Sequence, residues 1–289
     1  MKTWILASRP KTLFAAVSPV IIGTVMAMGD GAAHWPSALA ALLGAIFIQI
    51  GTNFANDYAD FFKGADTHER LGPTRVTQAG MVTPTTMRNA TIIAFGVAVL
   101  VGINLVWRGG LPIVAVGILS ILAGILYTAG PYPLAYIGAA DLFVLLFFGP
   151  VAVGGTYYVQ TLEIHSAVLI AGLAPGLFSM AILTVNNLRD VDQDRAANKR
   201  TPVVRFGRAF ARWAYVTYLV GACLIPALLF VQGAAPAWSM LTVGVLIPAL
   251  PALRSVFVDQ GRALNKTLAR TGQLLLLYSV VFGIGWLAG

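Results

Sequence analysis

The sequence predicts an all-α integral membrane protein, with nine transmembrane helices in one bundle and two cytoplasmic loops that carry the chemistry. Three observations lead there. Hydrophobic residues make up 58% of the 289 and charged residues only 10%, which leaves too little polar surface to clothe a water-soluble globule. Apolar stretches long enough to cross a hydrocarbon core recur along the whole chain. None shows the alternation of a barrel strand, so each must satisfy its backbone hydrogen bonds internally, as a helix does.

The spans fall at 12–28, 38–54, 90–106, 112–127, 142–158, 167–185, 213–230, 240–257 and 268–287, and residues 1–289 form a single transmembrane domain. The first run follows Lys2, Arg9 and Lys11, as a cleavable signal also does, but its length and Pro19 suit a span. Nine spans place eighteen of the nineteen Lys and Arg residues on one side, with Arg108 alone on the other. The positive-inside rule then sets the N-terminus and the basic loops in the cytoplasm and the C-terminus outside.

The net charge of +8 is juxtamembrane, where anionic headgroups attract it, and no nucleic-acid-binding motif accompanies it. Cys223 stands alone, so neither a disulfide framework nor a cysteine-rich metal site is available. No Ser-His-Asp spacing, dinucleotide loop or His-rich motif is present.

Seven of the eleven carboxylates lie in two windows. Asn53, Asn56, Asp57, Asp60, Asp66 and Glu69 follow the second span; Asn186, Asn187, Asp190, Asp192 and Asp194 follow the sixth. Asn53 and Asp57, Asn56 and Asp60, and the series Asn186, Asp190, Asp194 are each spaced by four, which stacks them on one face of a continuing helix. Such a column repels itself unless a cation or Lys/Arg partners offset it. Hard oxygen donors of this kind suit Mg²⁺, which takes one or two carboxylates and completes its shell with water and phosphate. Asn56, Asp57, Asp60, Asp66, Asp190 and Asp194 are the candidate metal ligands, with Asp60, Asp190, Asp194 and Asn56 the catalytic core. Lys63, Arg75, Arg189, Lys199 and Arg200 flank the columns and suit phosphate oxygens; Arg205, Arg208 and Arg212 read as headgroup anchors. The windows look like halves of a weak internal repeat, so the columns are expected to face each other across a shared cavity. A cation-coupled transporter would also hold carboxylates in a bundle, but near the midplane rather than among Lys and Arg at span ends.

Asn56-Asp57-x-x-Asp60 with a later aspartate, paired with Asp190-x-x-x-Asp194, resembles the two signature motifs of the UbiA-type superfamily of intramembrane prenyltransferases, over essentially the whole chain. Arg9-Pro10-Lys11-Thr12-Leu13, Gly64-x-Asp66, Gly72-Pro73-Thr74-Arg75, Tyr127-Thr128 and Asn186-Asn187-Leu-Arg189-Asp190 are similar to the branch that prenylates 1,4-dihydroxy-2-naphthoate in menaquinone synthesis. In the general motif the third acid falls four residues after the second; here that place is Gly64 and the acid is Asp66, which leaves open whether Asp66 binds metal directly or through water. The resemblance implies a bacterial cytoplasmic (inner) membrane enzyme that uses Mg²⁺, a polyprenyl diphosphate and 1,4-dihydroxy-2-naphthoate. In the implied reaction, charge on the leaving diphosphate is neutralised, an allylic cation forms in a dry cavity, the ring attacks, and carbon dioxide is lost. Another aromatic acceptor, 4-hydroxybenzoate or a tetrapyrrole, is the alternative.

Asn53 and Asn186 join the binding set because asparagine at membrane depth is costly without a partner. Tyr127 and Asp141 sit on the cytoplasmic side by helix parity. Asp141 is either an N-cap or part of the cavity wall, and the resemblance implies that this region binds the acceptor. His34, His68 and His165 read as solvated or spectator groups. The six tryptophans lie mostly near span ends, as an interfacial belt does.

Overall fold

A computed structural model of the chain describes residues 2–63 and 71–289. Among these residues every regular element is helical. In chain order they are α1 (Lys2–Ser8), α2 (Pro10–Gly29), α3 (Trp35–Lys63), α4 (Pro84–Gly109), α5 (Leu111–Leu126), α6 (Leu134–Ile137), α7 (Ala140–Phe147), α8 (Pro150–Thr161), α9 (Ser166–Arg189), α10 (Val191–Ala196), α11 (Pro202–Val231), α12 (Leu246–Val258) and α13 (Leu264–Leu287). Short 3₁₀ turns, Ala237–Val245 and Gly261–Ala263, lead into the last two.

Eight helical segments among the described residues are long and apolar enough to cross a membrane, and α5 is a shorter apolar helix. Against the expected nine there stand eight full-length segments and one of 16 residues, whose rise of about 24 Å falls short of a hydrocarbon core of about 30 Å. Helix α5 nonetheless runs from one end of the bundle to the other. Ile113 near its start packs over Gly109 beside Tyr158, while Tyr127 at its end lies within the electrostatic reach of Asp60 and Asp194.

Breaks in the helices follow glycine and proline. Helices α7 and α8 form one crossing, interrupted at Gly149-Pro150. A Cβ on Gly149 would stand 2.7 Å from the Gly172 carbonyl, and one on Gly172 would stand 2.7 Å from Pro150 Cα; small residues here let α8 approach α9 at backbone distance. Helix α11 kinks at Gly207, whose φ of 85° suits glycine, so its membrane part begins near the expected start at 213. By contrast the stretch from Thr52 to Lys63 carries neither glycine nor proline, and α3 continues unbroken past the end of its apolar run.

Helix α9 is the centre of the bundle, with 72% of its apolar window buried, and α4 lies at the periphery with 17%. The main core surrounds α9 with Phe178, Tyr157, Tyr215, Tyr278 and Phe282. A smaller core of Ala7, Phe54, Val76, Met87 and Ala94 fixes α1 and the segment before α4 against α3. Between these two bodies lies a cavity.

Candidate active site

The cavity measures about 1000 Å³, at the upper end of the range for ligand pockets. Its walls come from α1 to α10 and from α13. One end is polar and is lined by Asn53, Asn56 and Asp60 from the first window and Asn186, Asp190 and Asp194 from the second. The remainder is apolar, with Ala98, Ile103, Val114, Phe143 and Phe147 among its lining residues. The two windows, one at the end of α3 and the other at the end of α9, thus meet at one place.

In the first window the helix presents its residues in two directions. Asp60 pairs with Arg75, and both side chains are buried. Asn56 Oδ1 accepts a bond from Thr128 Oγ1 at 2.7 Å, and Asn53 Nδ2 donates to the Ser8 carbonyl at 2.9 Å and to Thr12 Oγ1 at 3.1 Å. Asp57 departs from the expectation that it holds metal. It is absent from the cavity wall, and its two oxygens accept the backbone N–H groups of Val76, at 3.0 Å, and Thr77, at 3.2 Å. Asp57 therefore holds the segment that carries Arg75. Asp66, with His68 and Glu69, lies outside the described residues.

The second window is not one continuous helix. Helix α9 ends at Arg189, Asp190 stands at the junction with φ −99° and ψ 9°, and α10 begins at Val191. The spacing survives because the bonds from Asp190 N to Asn186 O (3.1 Å) and from Asp194 N to Asp190 O (2.8 Å) bridge the break. Asp190 and Asp194 both line the cavity, whereas Asp192 is exposed and accepts a bond from Arg208 at 2.7 Å.

Each acid that lines the cavity has a basic neighbour. Arg189 donates to both oxygens of Asp190 and, through Nη2, to Asn186 Oδ1 at 2.7 Å. Lys199 Nζ lies 3.1 Å from Asp194 Oδ1. Burial raises the Asp194 carboxyl above the usual carboxylate range, with Lys199 working against that shift. For Lys199 burial opposes the charge, but Asp194, Tyr136 and Asp60 outweigh it and hold the ammonium above its ordinary value. Lys63 Nζ, expected at phosphate, donates to the Thr128 carbonyl at 2.6 Å and sits 4.7 Å above the Tyr136 ring, with Lys199 5.1 Å from the same ring; these are cation–π distances.

Two other expectations are corrected. Arg200 is exposed and off the cavity wall; its backbone N–H donates to the Tyr136 carbonyl, which ties the loop to α6. Asp141 is neither the N-cap of α7, a place taken by Ala139, nor a lining residue. Its Oδ2 is buried without a hydrogen-bond partner among the described residues. Tyr127 does line the cavity. Arg205 and Arg212, read as headgroup anchors, bond the carbonyls of Ile137 and Val256.

Arg9 was missed as a site residue. It lines the cavity, its Nη2 is buried without a hydrogen-bond partner among the described residues, and Asp57 and Asp60 act on it electrostatically. Its backbone has φ 50°, ψ 69°, an uncommon conformation for a non-glycine residue, because the chain must turn between α1 and the Pro10 start of α2. The sequence signal was an arginine directly before that proline.

Among the described residues no three His, Cys, Asp or Glu side chains gather to hold a metal ion. The donors that face the cavity are carboxylate and amide oxygens in separate pairs. That set fits Mg²⁺, which is usually held by one or two carboxylates together with waters and substrate phosphates rather than by an all-protein cage.

The fold and site define a polytopic helical membrane protein whose cavity joins an apolar hollow to a cluster of paired acids and bases. The chain belongs to the UbiA prenyltransferase family, whose model matches residues 16–287. It is 34% identical to a 1,4-dihydroxy-2-naphthoate octaprenyltransferase of Haemophilus influenzae, over 100% of this chain and 97% of that one. A protein of the same name from Mycobacterium tuberculosis is 37% identical over 96% of this chain and 94% of its own length. The structure of a UbiA homologue from Archaeoglobus fulgidus bound to GPP and Mg²⁺ shares the fold, with a TM-score of 0.72 at 15% identity, over 99% of this chain and 100% of that one.

Proposed function

We propose that the protein transfers a polyprenyl group from its diphosphate to 1,4-dihydroxy-2-naphthoate, with release of diphosphate and carbon dioxide and formation of a demethylmenaquinol. The observation that carries this reading is the single cavity in which an oxygen- and cation-lined end opens into an apolar hollow. A prenyl diphosphate has the same two-part character. The names of the relatives supply the acceptor.

Asp60, Asp190, Asp194 and Asn56 are the residues that would hold Mg²⁺, and Mg²⁺ when bound would neutralise charge on the leaving diphosphate. Arg75, Arg189 and Lys199, already beside those acids, contribute donors for phosphate oxygens. Asn53 and Asn186 position the backbone and the guanidinium around them. Arg9, whose Nη2 has no partner among the described residues, takes an anionic group of a substrate. Phe143 and Phe147, stacked with centroids 6.0 Å apart on the apolar wall, and Tyr127 exclude water and offer ring faces to an allylic cation.

The protein resides in a bacterial cytoplasmic membrane with its N-terminus inside and C-terminus outside. The distribution of Lys and Arg supports this orientation, and α5 as a ninth crossing supports its parity. The test is incubation of membranes bearing the chain with a labelled prenyl diphosphate, magnesium and either dihydroxynaphthoate or 4-hydroxybenzoate. Labelled lipid with dihydroxynaphthoate alone is expected; product with 4-hydroxybenzoate alone overturns the acceptor.

A further inference from the structure

Asn265 belongs to neither acid window, yet it bonds to both halves of the site. It stands in the first turn of α13 and lines the cavity. Its Oδ1 accepts a bond from Arg189 Nη1 at 2.7 Å, and its Nδ2 donates to the Leu71 carbonyl at 2.8 Å. Arg189 is the residue that clasps Asp190 and Asn186, and its side chain is 1% exposed. Leu71 opens the segment that runs through Gly72 to Arg75, the partner of Asp60, and on to Val76 and Thr77, the partners of Asp57. One amide therefore links the arginine of the second window to the stretch of chain that carries the arginine of the first. The fit is close: a Cβ added to Gly72 would stand 2.7 Å from Arg189 Nη2.

We infer that Asn265 is a positioning residue for the diphosphate end of the cavity, a reading that rests on the proposed function. It acts through Arg189 and through the 71–77 segment. One of its hydrogen bonds holds Nη1 of a buried guanidinium and the other a backbone carbonyl of the 71–77 segment. Losing the amide frees Arg189 to tilt and Arg75 to drift, and the two cations then no longer converge on one anion.

The test uses the full chain in lipid nanodiscs and measures Mg²⁺-dependent binding of geranyl thiolodiphosphate, an analogue that resists ionisation, by calorimetry. No acceptor is present, so the result is independent of which ring is prenylated. Asn265→Ala is expected to bind about tenfold to a hundredfold more weakly, the loss of one hydrogen bond from a charged guanidinium and one to a backbone carbonyl. Asn265→Gln, which keeps the amide on a longer stem, is expected to recover part of it. Gly72→Ala, which crowds Arg189 from the other side, is expected to reproduce the weakening. In turnover the prenyl diphosphate KM rises and the acceptor KM is unchanged. Leu219→Ala, in the core at 0% exposure and remote from the site, controls for a general loss of stability. Binding by Asn265→Ala within twofold of the unmodified chain overturns the inference, as does an equal weakening in Leu219→Ala. An unmodified chain that does not bind the analogue takes down the proposed function as well.

Discussion

Arg189 lies against its own sequence neighbour Asp190 through two bonds, Nε to Oδ1 at 2.7 Å and Nη2 to Oδ2 at 2.5 Å. This two-point grip is the strong form of an arginine–carboxylate contact, and the break between α9 and α10 at Asp190 is what turns the two side chains toward each other. Arg75 and Asp60 make the corresponding pair in the first window. The self-repulsion of each acid column is thus offset from within the chain, by an arginine held against one of its acids.

That pairing changes how the acids are best tested. Alanine at Asp60 would take both the charge and the acceptor away from the buried Arg75 guanidinium, at a cost of about 3–5 kcal/mol; asparagine also removes the charge but keeps the volume and an amide oxygen that can accept from Arg75, so it is the more informative replacement. Asp60→Asn and Asp190→Asn are each expected to lower turnover by at least about a thousandfold while the chain stays folded. The double variant should lose little more than either single one, because groups that build one transition-state site act as a unit. Asp192→Ala, at an exposed residue bonded to Arg208, should keep most activity. Single-turnover product formation by the purified variants is the measurement; multiplicative losses in the double variant would falsify the shared site.

Asp57→Ala should act on stability rather than on metal use. It strands the Val76 and Thr77 N–H groups in a buried place, a loss of about 2–4 kcal/mol. The thermal unfolding temperature is expected to drop, and magnesium half-saturation to move less than in Asp60→Asn. A larger magnesium effect at Asp57 would restore it as a ligand.

Among the described residues Arg108 is the one Lys or Arg at the end of the bundle away from the acid windows. Its Nε and Nη2 donate to the carbonyls of Val159, at 2.7 Å, and Gln160, at 2.9 Å. These are late carbonyls of α8, where a cation also meets the negative end of the helix. Arg108→Ala should cost about 1–3 kcal/mol of stability and leave the prenyl diphosphate KM unchanged, as denaturation and steady-state kinetics on the same preparation would show.

Tyr278 is 0% exposed and its hydroxyl has no hydrogen-bond partner among the described residues, while its ring packs 5.3 Å from Phe178. Removing an unsatisfied buried hydroxyl and keeping the ring is neutral or stabilising. Tyr278→Phe should unfold at the same temperature or higher. A clear decrease would mean that the hydroxyl has a partner in the membrane.

Tags at the C-terminus and in the loop around His34 should react with an impermeant reagent applied to whole cells, and a tag near Asn198 should not. The expectation depends on α5 crossing despite its 16 residues. Labelling near Asn198 with protection of the C-terminus reverses the orientation.

Much of this was legible without coordinates. Composition alone required lipid as the solvent, since a chain so short of charge has no polar surface to spare, and the hydrogen-bond demand of lipid then left helices as the answer. Spacing by four along an unbroken α3 set Asn56 and Asp60 on one face, because helical period is a local property. What spacing does not contain is direction around the helix axis relative to the rest of the bundle. Asp57 is one residue from Asn56, and only the packing of the 71–77 segment against α3 decided that its oxygens meet backbone N–H groups and not the cavity. In the same way Arg200 sits in the expected loop and Asp141 at the expected helix start, but neither lines the cavity. Asn265 and Arg9, distant in sequence from the windows they join, became visible only when α13 and the α1–α2 turn were folded against them, since contacts between remote segments follow from tertiary packing and leave no periodic trace in the chain.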